Sequence, residues 1–271
     1  MARGLNDHIP PVSLAFYRWL TAVLVFAPFA IRGFVKDWPQ VSKHVGYMAV
    51  TAFIGVTCFN TFIYIAGHTT NAMNLSLIAI TFPVFVVLIS RVLFKEVLTV
   101  KRAVGIVVVL AGVVCLITRG EVDRLLAIRF VAGDLWMLAS AVLFAVFSIL
   151  IKHKPDSIHL YTFQFTLFFL GLMFLLPFFI WEQTRMPGLY LNQSTLPAVL
   201  YVGIFASLCA FLLWNRAILL LGPSRAGMIY YTLPLFSGLL AFLCLGEHIG
   251  LVHGVSALMI LSGIVLANQR T

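Results

Sequence analysis

The sequence predicts an all-α polytopic membrane protein made of two inverted five-helix repeats, with about nine spans in view. Three observations predict it. First, 62% of the 271 residues are hydrophobic and only 10% are charged, against about 45–50% and about 25% in a soluble domain. Second, apolar runs of roughly 17–25 residues, each long enough for a helix to cross a bilayer, succeed one another with short loops between them. Third, the chain repeats itself. A shift of 151 residues places Cys58 on Cys209, Ala66 on Ala217, Thr81 on Thr232, Pro83 on Pro234, Phe85 on Phe236, Glu96 on Glu247 and Gly112 on Gly263, with no gap.

The runs lie near 12–31, 45–66, 71–90, 103–118, 132–151, 159–181, 196–219, 226–245 and 250–267. Helices are expected because hydrocarbon leaves no partner for unpaired backbone groups, and the runs are too long and too uniformly apolar for barrel strands. The first opens after Pro10 and carries Arg18 and Pro28. The second bears a polar stripe, Thr57, Asn60, Thr61, Tyr64 and His68, spaced to share one helical face. The third contains TFPVF and the eighth TLPLF, each with a Glu thirteen residues beyond its proline. The sixth corresponds to the first, with Pro177-Phe178 on Pro28-Phe29, and the seventh and ninth correspond to the second and fourth. The run at 132–151 has no counterpart, because its partner would lie before Met1. The expectation is therefore two units, residues 1–130 and 131–271, the first lacking an N-terminal helix of about twenty residues.

Charge sets the orientation. Loops 32–44, 91–102, 152–157, 216–225 and the C-terminus hold twelve Lys and Arg, the loops on the other side five. The richer side is expected to be cytoplasmic, which puts the C-terminus inside and Met1 outside. Five spans per half is an odd number, so the two halves run in opposite directions, Glu96 facing the cytoplasm and Glu247 the exterior. An integral protein of the cytoplasmic (inner) membrane is expected. The net charge of +9 sits in these loops, which makes it topological and speaks against nucleic acid as a partner; the partners expected are the lipid bilayer and a small-molecule substrate. The four cysteines, Cys58, Cys115, Cys209 and Cys244, all lie within apolar runs and read as packing residues. The start MARGLNDHIPP lacks the apolar core of a cleavable signal. No HExxH, GxSxG, P-loop or CxxC motif occurs, so neither an enzyme nor a cofactor or metal site is expected.

Several residues could serve a solute. Polar groups facing lipid are costly, so Asn60 and Tyr64 should face the bundle interior or a watery cavity; His68, near the outer end of its run, suits the surface equally well. The repeat places Trp214 and Asn215 opposite Ile63 and Tyr64, which predicts that Asn215 and Tyr64 face each other across a pseudo-two-fold axis. Trp136 and Ser140 share a face of the unpaired span. Pro83 and Pro234 predict kinked, mobile helices, with Thr81 and Thr232 available to hydrogen-bond freed carbonyls and Tyr230 or Tyr231 turned to the cavity. Arg18 is the one full charge well inside an apolar run; it would serve structure by pairing with carbonyls, or contact a substrate carboxylate. Glu96 and Glu247 sit where helix caps sit. All nine acids lie in loops or at span ends, which predicts movement down a gradient, or coupling through His68 or a group on the absent helix.

PPVSLAFYRW at 10–19, the segment 66–117 with its TFP and KE elements, and LGPSRAGMIYYTLPLFSGLLAFLCLGEHIG at 221–250 resemble the EamA-type members of the drug/metabolite transporter superfamily. The resemblance spans essentially the whole chain. It implies a ten-helix, basket-shaped secondary carrier with a central cavity that exports amino acids or other small metabolites, aromatic or zwitterionic ones suiting the polar and aromatic lining. The alternative is a non-transporting accessory or lipid-flipping subunit.

Overall fold

The computed structural model describes residues 9–269 apart from 96–97, 127–128, 187, 189–190, 194 and 246–249. The turn glutamates Glu96 and Glu247 fall outside the described residues. The chain is helical throughout: α1 (Pro11–Lys43), α2 (Val45–Thr69), α3 (Ala72–Ala79), α4 (Phe82–Phe94), α5 (Val100–Thr118), the short α6 (Val122–Leu126), α7 (Ala132–Lys152), α8 (Leu160–Arg185), α9 (Leu196–Leu221), α10 (Pro223–Tyr230), α11 (Leu233–Leu245) and α12 (Leu251–Asn268). Among the described residues, eight helices are long and apolar enough to cross a membrane, with α3–α4 counted as one. The remaining expected run is the pair α10–α11.

Local chemistry marks the helix ends. Pro11 and Pro223 stand at first helical positions, where a missing N–H costs nothing. Asn71 caps α3 by accepting from the Asn74 N–H at 2.8 Å. The Gly222 backbone, at φ 82°, makes the left-handed turn between α9 and α10. At α1 the helix runs on through the segment expected as a loop after residue 31, reaching Lys43. Tertiary contact holds that extension: a Cβ on Gly33 would meet Thr162 Oγ1 at 2.9 Å, and the Thr162 hydroxyl donates to Asp37 Oδ2 at 2.9 Å.

Helices related by the repeat pack on each other in opposite directions. In α5 and α12, Gly105 lies against Ala267, Gly112 against Met259 and Ile260, and Gly120, just beyond α5, against Val252. One chain rises in number as the other falls, so the two are antiparallel. Glycine allows the close approach, since a Cβ on Gly105 would sit 2.6 Å from the Ala267 backbone nitrogen. The pair α1 and α8 behaves the same way. Ser13 meets Glu182, Phe16 stacks on Phe179 at 4.2 Å, Trp19 packs on Phe168 at 4.8 Å, and Asp37 meets Thr162.

The proline helices are broken rather than merely kinked, at Ile80–Thr81 and at Tyr231–Thr232, positions equivalent under the repeat. Pro83 and Pro234 are the second residues of α4 and α11. Each cannot donate to the preceding turn, so the chain restarts there. The Thr81 hydroxyl donates to Ile78 O and the Thr232 hydroxyl to Ile229 O, both at 2.7 Å.

A second symmetric irregularity lies in α2 and α9. Each contains a π-helical stretch, Phe53–Cys58 and Val202–Cys209, ending at a repeat-related cysteine. Such widened turns redirect carbonyls and cluster at functional sites. The stretch in α2 packs on α8, where Thr57 Oγ1 donates to Gly171 O at 3.1 Å; the stretch in α9 packs on α1, with Gly203 against Thr21. Each half thus seats its π turn on the long helix of the other.

Among the described residues, helix α7 has no repeat partner. It covers α2 and α4: Trp136 packs on Phe62 at 4.8 Å, Phe144 on Phe59 at 4.3 Å and on Phe82 at 4.7 Å. The matching face of the second half is bare among the described residues, with Leu213, Leu233 and Phe236, the counterparts of Phe62, Phe82 and Phe85, exposed by 69%, 49% and 59%.

Candidate functional site

The largest of the described cavities, about 550 Å³, lies where α1, α2, α7, α9, α10 and α11 converge. Its volume is in the range of small-molecule sites, about 300–1,000 Å³. Arg18, Asn60, Phe144, Trp214 and Tyr230 furnish its polar and aromatic wall, and Leu213, Leu233 and Phe236 close the apolar side.

Arg18 is the centre of its electrostatics. The side chain is 8% exposed. Its Nε donates to the Ser207 hydroxyl, Nη1 to the Tyr64 hydroxyl at 2.8 Å, and Nη2 to the Ala206 carbonyl at 2.9 Å. Its guanidinium carbon also lies 5.2 Å from the Trp19 ring and 6.0 Å from the Tyr64 ring. All these acceptors are neutral, and among the described residues Arg18 has no carboxylate partner. The buried acids are engaged elsewhere. Glu182 accepts from Val12 N, Ser13 N and Ser13 Oγ at 2.6–3.1 Å and caps the start of α1. Asp134 caps α7 and accepts from Thr70, Asn74 and Val131. A charge in the bilayer is expensive without compensation, so the neutral acceptors around Arg18 make its position tenable.

The π turns build this arrangement. Gly55 and Ala206 are repeat equivalents, one in each π stretch, and each carbonyl takes a side-chain donor: Asn60 Nδ2 reaches Gly55 O at 3.4 Å, and Arg18 reaches Ala206 O. Ser207, which holds Arg18, itself donates to Val202 O at 2.9 Å. Across the cavity the aromatic groups lock one another. Phe144 stacks between Phe59 and Trp214, at 4.3 and 5.4 Å, and Trp214 Nε1 donates to Ser148 Oγ at 3.1 Å. Tyr230 lies edge-on to Phe82 at 4.9 Å.

Of the residues singled out from the sequence, Arg18, Asn60, Trp214, Tyr230 and Thr232 meet at this cavity, with Tyr64 one hydrogen bond behind Arg18. The others lie elsewhere. Asn215 and Tyr64 do not pair across an axis: Tyr64 serves Arg18, while Asn215 is fully buried and donates to Gln164 Oε1. Ser140 is buried and donates to Phe59 O at 3.1 Å, and Trp136 is half-exposed against Phe62. His68 is exposed at the end of α2. Thr81 borders a separate cavity of about 370 Å³ beside Asn74 and Asp134. Tyr231 and Pro234 border another of about 340 Å³, which Tyr230 shares. Pro83 is buried against Gly227 of α10. Sequence reasoning missed Phe144, Phe211 and Ala206, apolar residues in apolar runs that carry no signal of their own. It also missed Ser148 and Gln164, which are polar but sit outside the stripe on α2.

The pattern of the EamA-like transporter family matches residues 1–118 and again 131–269. The chain belongs to the EamA-like transporter family. An uncharacterized transporter of Archaeoglobus fulgidus is 28% identical over 98% of this chain and 90% of its own length. The uncharacterized transporter YyaM of Bacillus subtilis is 22% identical over 99% of this chain and 88% of its own. A crystal structure 20% identical in sequence superposes over 98% of this chain and 90% of its own, with a TM-score of 0.75, and shares the fold. This EamA protein is thus a polytopic membrane transporter and not an enzyme, consistent with the eight described helices long and apolar enough to cross a membrane.

Proposed function

We propose that this EamA transporter is a secondary carrier that exports amino acids or related small metabolites by alternating access, its two units being residues 1–130 and 131–271. One observation carries the reading. The polar and aromatic cavity is lined by helices of both repeats, α1 and α2 from the first and α9, α10 and α11 from the second, at the π stretch of α9 and the break between α10 and α11, and repeat-related helices pack antiparallel in the fold. Inverted repeats of that kind can exchange conformations to open a central site to either side, and discontinuous helices supply the moving segments. The loop charges favour a cytoplasmic C-terminus in the inner membrane. None of the described acids lines the cavity, which favours movement down the solute's own gradient without a coupling carboxylate. Counterflow of radiolabelled amino acids in proteoliposomes tests this. Saturable counterflow of one or more is expected; none from folded protein, across the amino acids and their deaminated analogues, overturns it.

A further inference from the structure

We infer that Arg18 is the solute anchor of this carrier and that the solute is recognised by a carboxylate attached to an apolar or aromatic body. This rests on the reading of the cavity as the transport site and names what that site holds. A guanidinium has five N–H donors. Three are engaged, by Ser207, Tyr64 and Ala206, which leaves two on a side chain that borders the cavity. All three engaged acceptors are neutral, so the cation lacks a counter-charge among the described residues, in a low-dielectric setting where pairing with an anion gains most. A planar guanidinium matches a carboxylate in geometry as well as charge.

The protein fixes that fork on three sides. Ser207 and Ala206 belong to the π stretch of α9, Tyr64 to α2, and Trp19 lies beside the guanidinium. The anchor is therefore preorganised by both repeats and need not reorganise when an anion arrives. Apart from Asn60 and Thr232, the rest of the lining is aromatic or aliphatic, with Phe59, Phe144, Phe211, Trp214 and Phe236 available to pack on the body of the solute. A free amine would meet Arg18 as a like charge, and no carboxylate lines the cavity to receive it.

The test uses the full chain in detergent, with binding read from the fluorescence of Trp19 and Trp214 in a background where Trp38, Trp136 and Trp181 are phenylalanine and Trp19, beside Arg18, is kept. Three probes share one body: 3-phenylpropionate carries only the carboxylate, phenylalanine both charges, and phenethylamine only the amine. Both carboxylates are expected to bind and the amine not to. Arg18→Gln is expected to weaken both carboxylates by roughly 10- to 100-fold, and Arg18→Lys to restore part of that loss. Equal binding of the amine, or no carboxylate binding to folded protein, overturns the assignment. So does an Arg18→Gln protein that unfolds as the parent does yet holds phenylpropionate within about twofold of it. Because the readout needs no gradient, carboxylate binding without counterflow would refute the carrier reading and leave the anchor standing.

Discussion

The Tyr231 hydroxyl donates to the carbonyl of Ile80 at 2.9 Å, and the two residues are 151 positions apart, each the repeat equivalent of the other. The bond therefore ties the break in one proline helix to the break in the other. It also occupies a carbonyl at the end of α3, where helix termination leaves acceptors without intrahelical partners. Tyr231→Phe keeps the ring and removes the bond. It is expected to lower the unfolding free energy by roughly 1 kcal/mol, and to change the transport rate by more than that loss would produce if the two breaks move together. Denaturant unfolding in detergent and counterflow on the same preparation separate the two effects; a change in neither would show that the tie is incidental.

Antiparallel packing of the two long helices makes a prediction that any parallel arrangement fails. Gly33 of α1 lies against Thr162 of α8, while Ser13, at the other end of α1, lies against Glu182. In a background without the native cysteines, the pair Gly33→Cys and Thr162→Cys is expected to cross-link under a membrane-permeant oxidant, since a disulfide needs Cβ atoms about 3.5–4.5 Å apart. The pair Gly33→Cys and Glu182→Cys is expected not to. Mobility on a gel with and without reductant reads the result.

Much of the architecture was legible in the sequence because apolar length, loop charge and a gapless repeat are properties of the chain itself. Pro83 and Pro234 marked where these two helices are interrupted, but they predicted kinks, and the full breaks at Ile80–Thr81 and Tyr231–Thr232 were not legible. The register of α2 and α9 was not. A π turn admits an extra residue, and one residue rotates the remainder of the helix by about 100° around its axis. Nothing in FIGVTC or VGIFASLC announces that insertion. A regular helix would therefore place Asn215 wrongly, and the structure turns it to Gln164, away from the cavity that Trp214 lines. Phe144 was illegible for another reason: it is one phenylalanine among 24, and only the tertiary stack on Phe59 and Trp214 distinguishes it.

Accessibility separates the cavity from the packed interior. Asn60 and Ser140 both lie at buried helix contacts, yet only Asn60 borders the cavity; Ser140 is sealed between α7 and α2, bonded to Phe59 O. A cysteine at position 60 is expected to react with a small charged thiol reagent in reconstituted protein without native cysteines, and a bound solute should slow it. A cysteine at 140 should stay protected throughout. Mass spectrometry of the modified protein checks both, and equal protection of the two would remove the watery cavity from the account.

The unpaired helix α7 breaks the symmetry of the two halves, and a matched pair of substitutions measures it. Gly55 and Ala206 are repeat equivalents in the two π stretches. A Cβ on Gly55 would sit 2.0 Å from the ring of Phe147 on α7, a fully buried side chain with no free space to yield into. Ala206 is exposed, on the side where no described helix takes the place of α7. Gly55→Ala is therefore expected to cost about 1–3 kcal/mol through overpacking, although alanine is ordinarily the better helix former. Ala206→Val enlarges its equivalent by more and is expected to stay within about 0.5 kcal/mol of the parent. Thermal unfolding of both variants in one detergent decides the matter. Equal costs would mean that something absent from this arrangement of helices covers Ala206, and a stabilised Gly55→Ala would mean that α7 does not press on the first π turn.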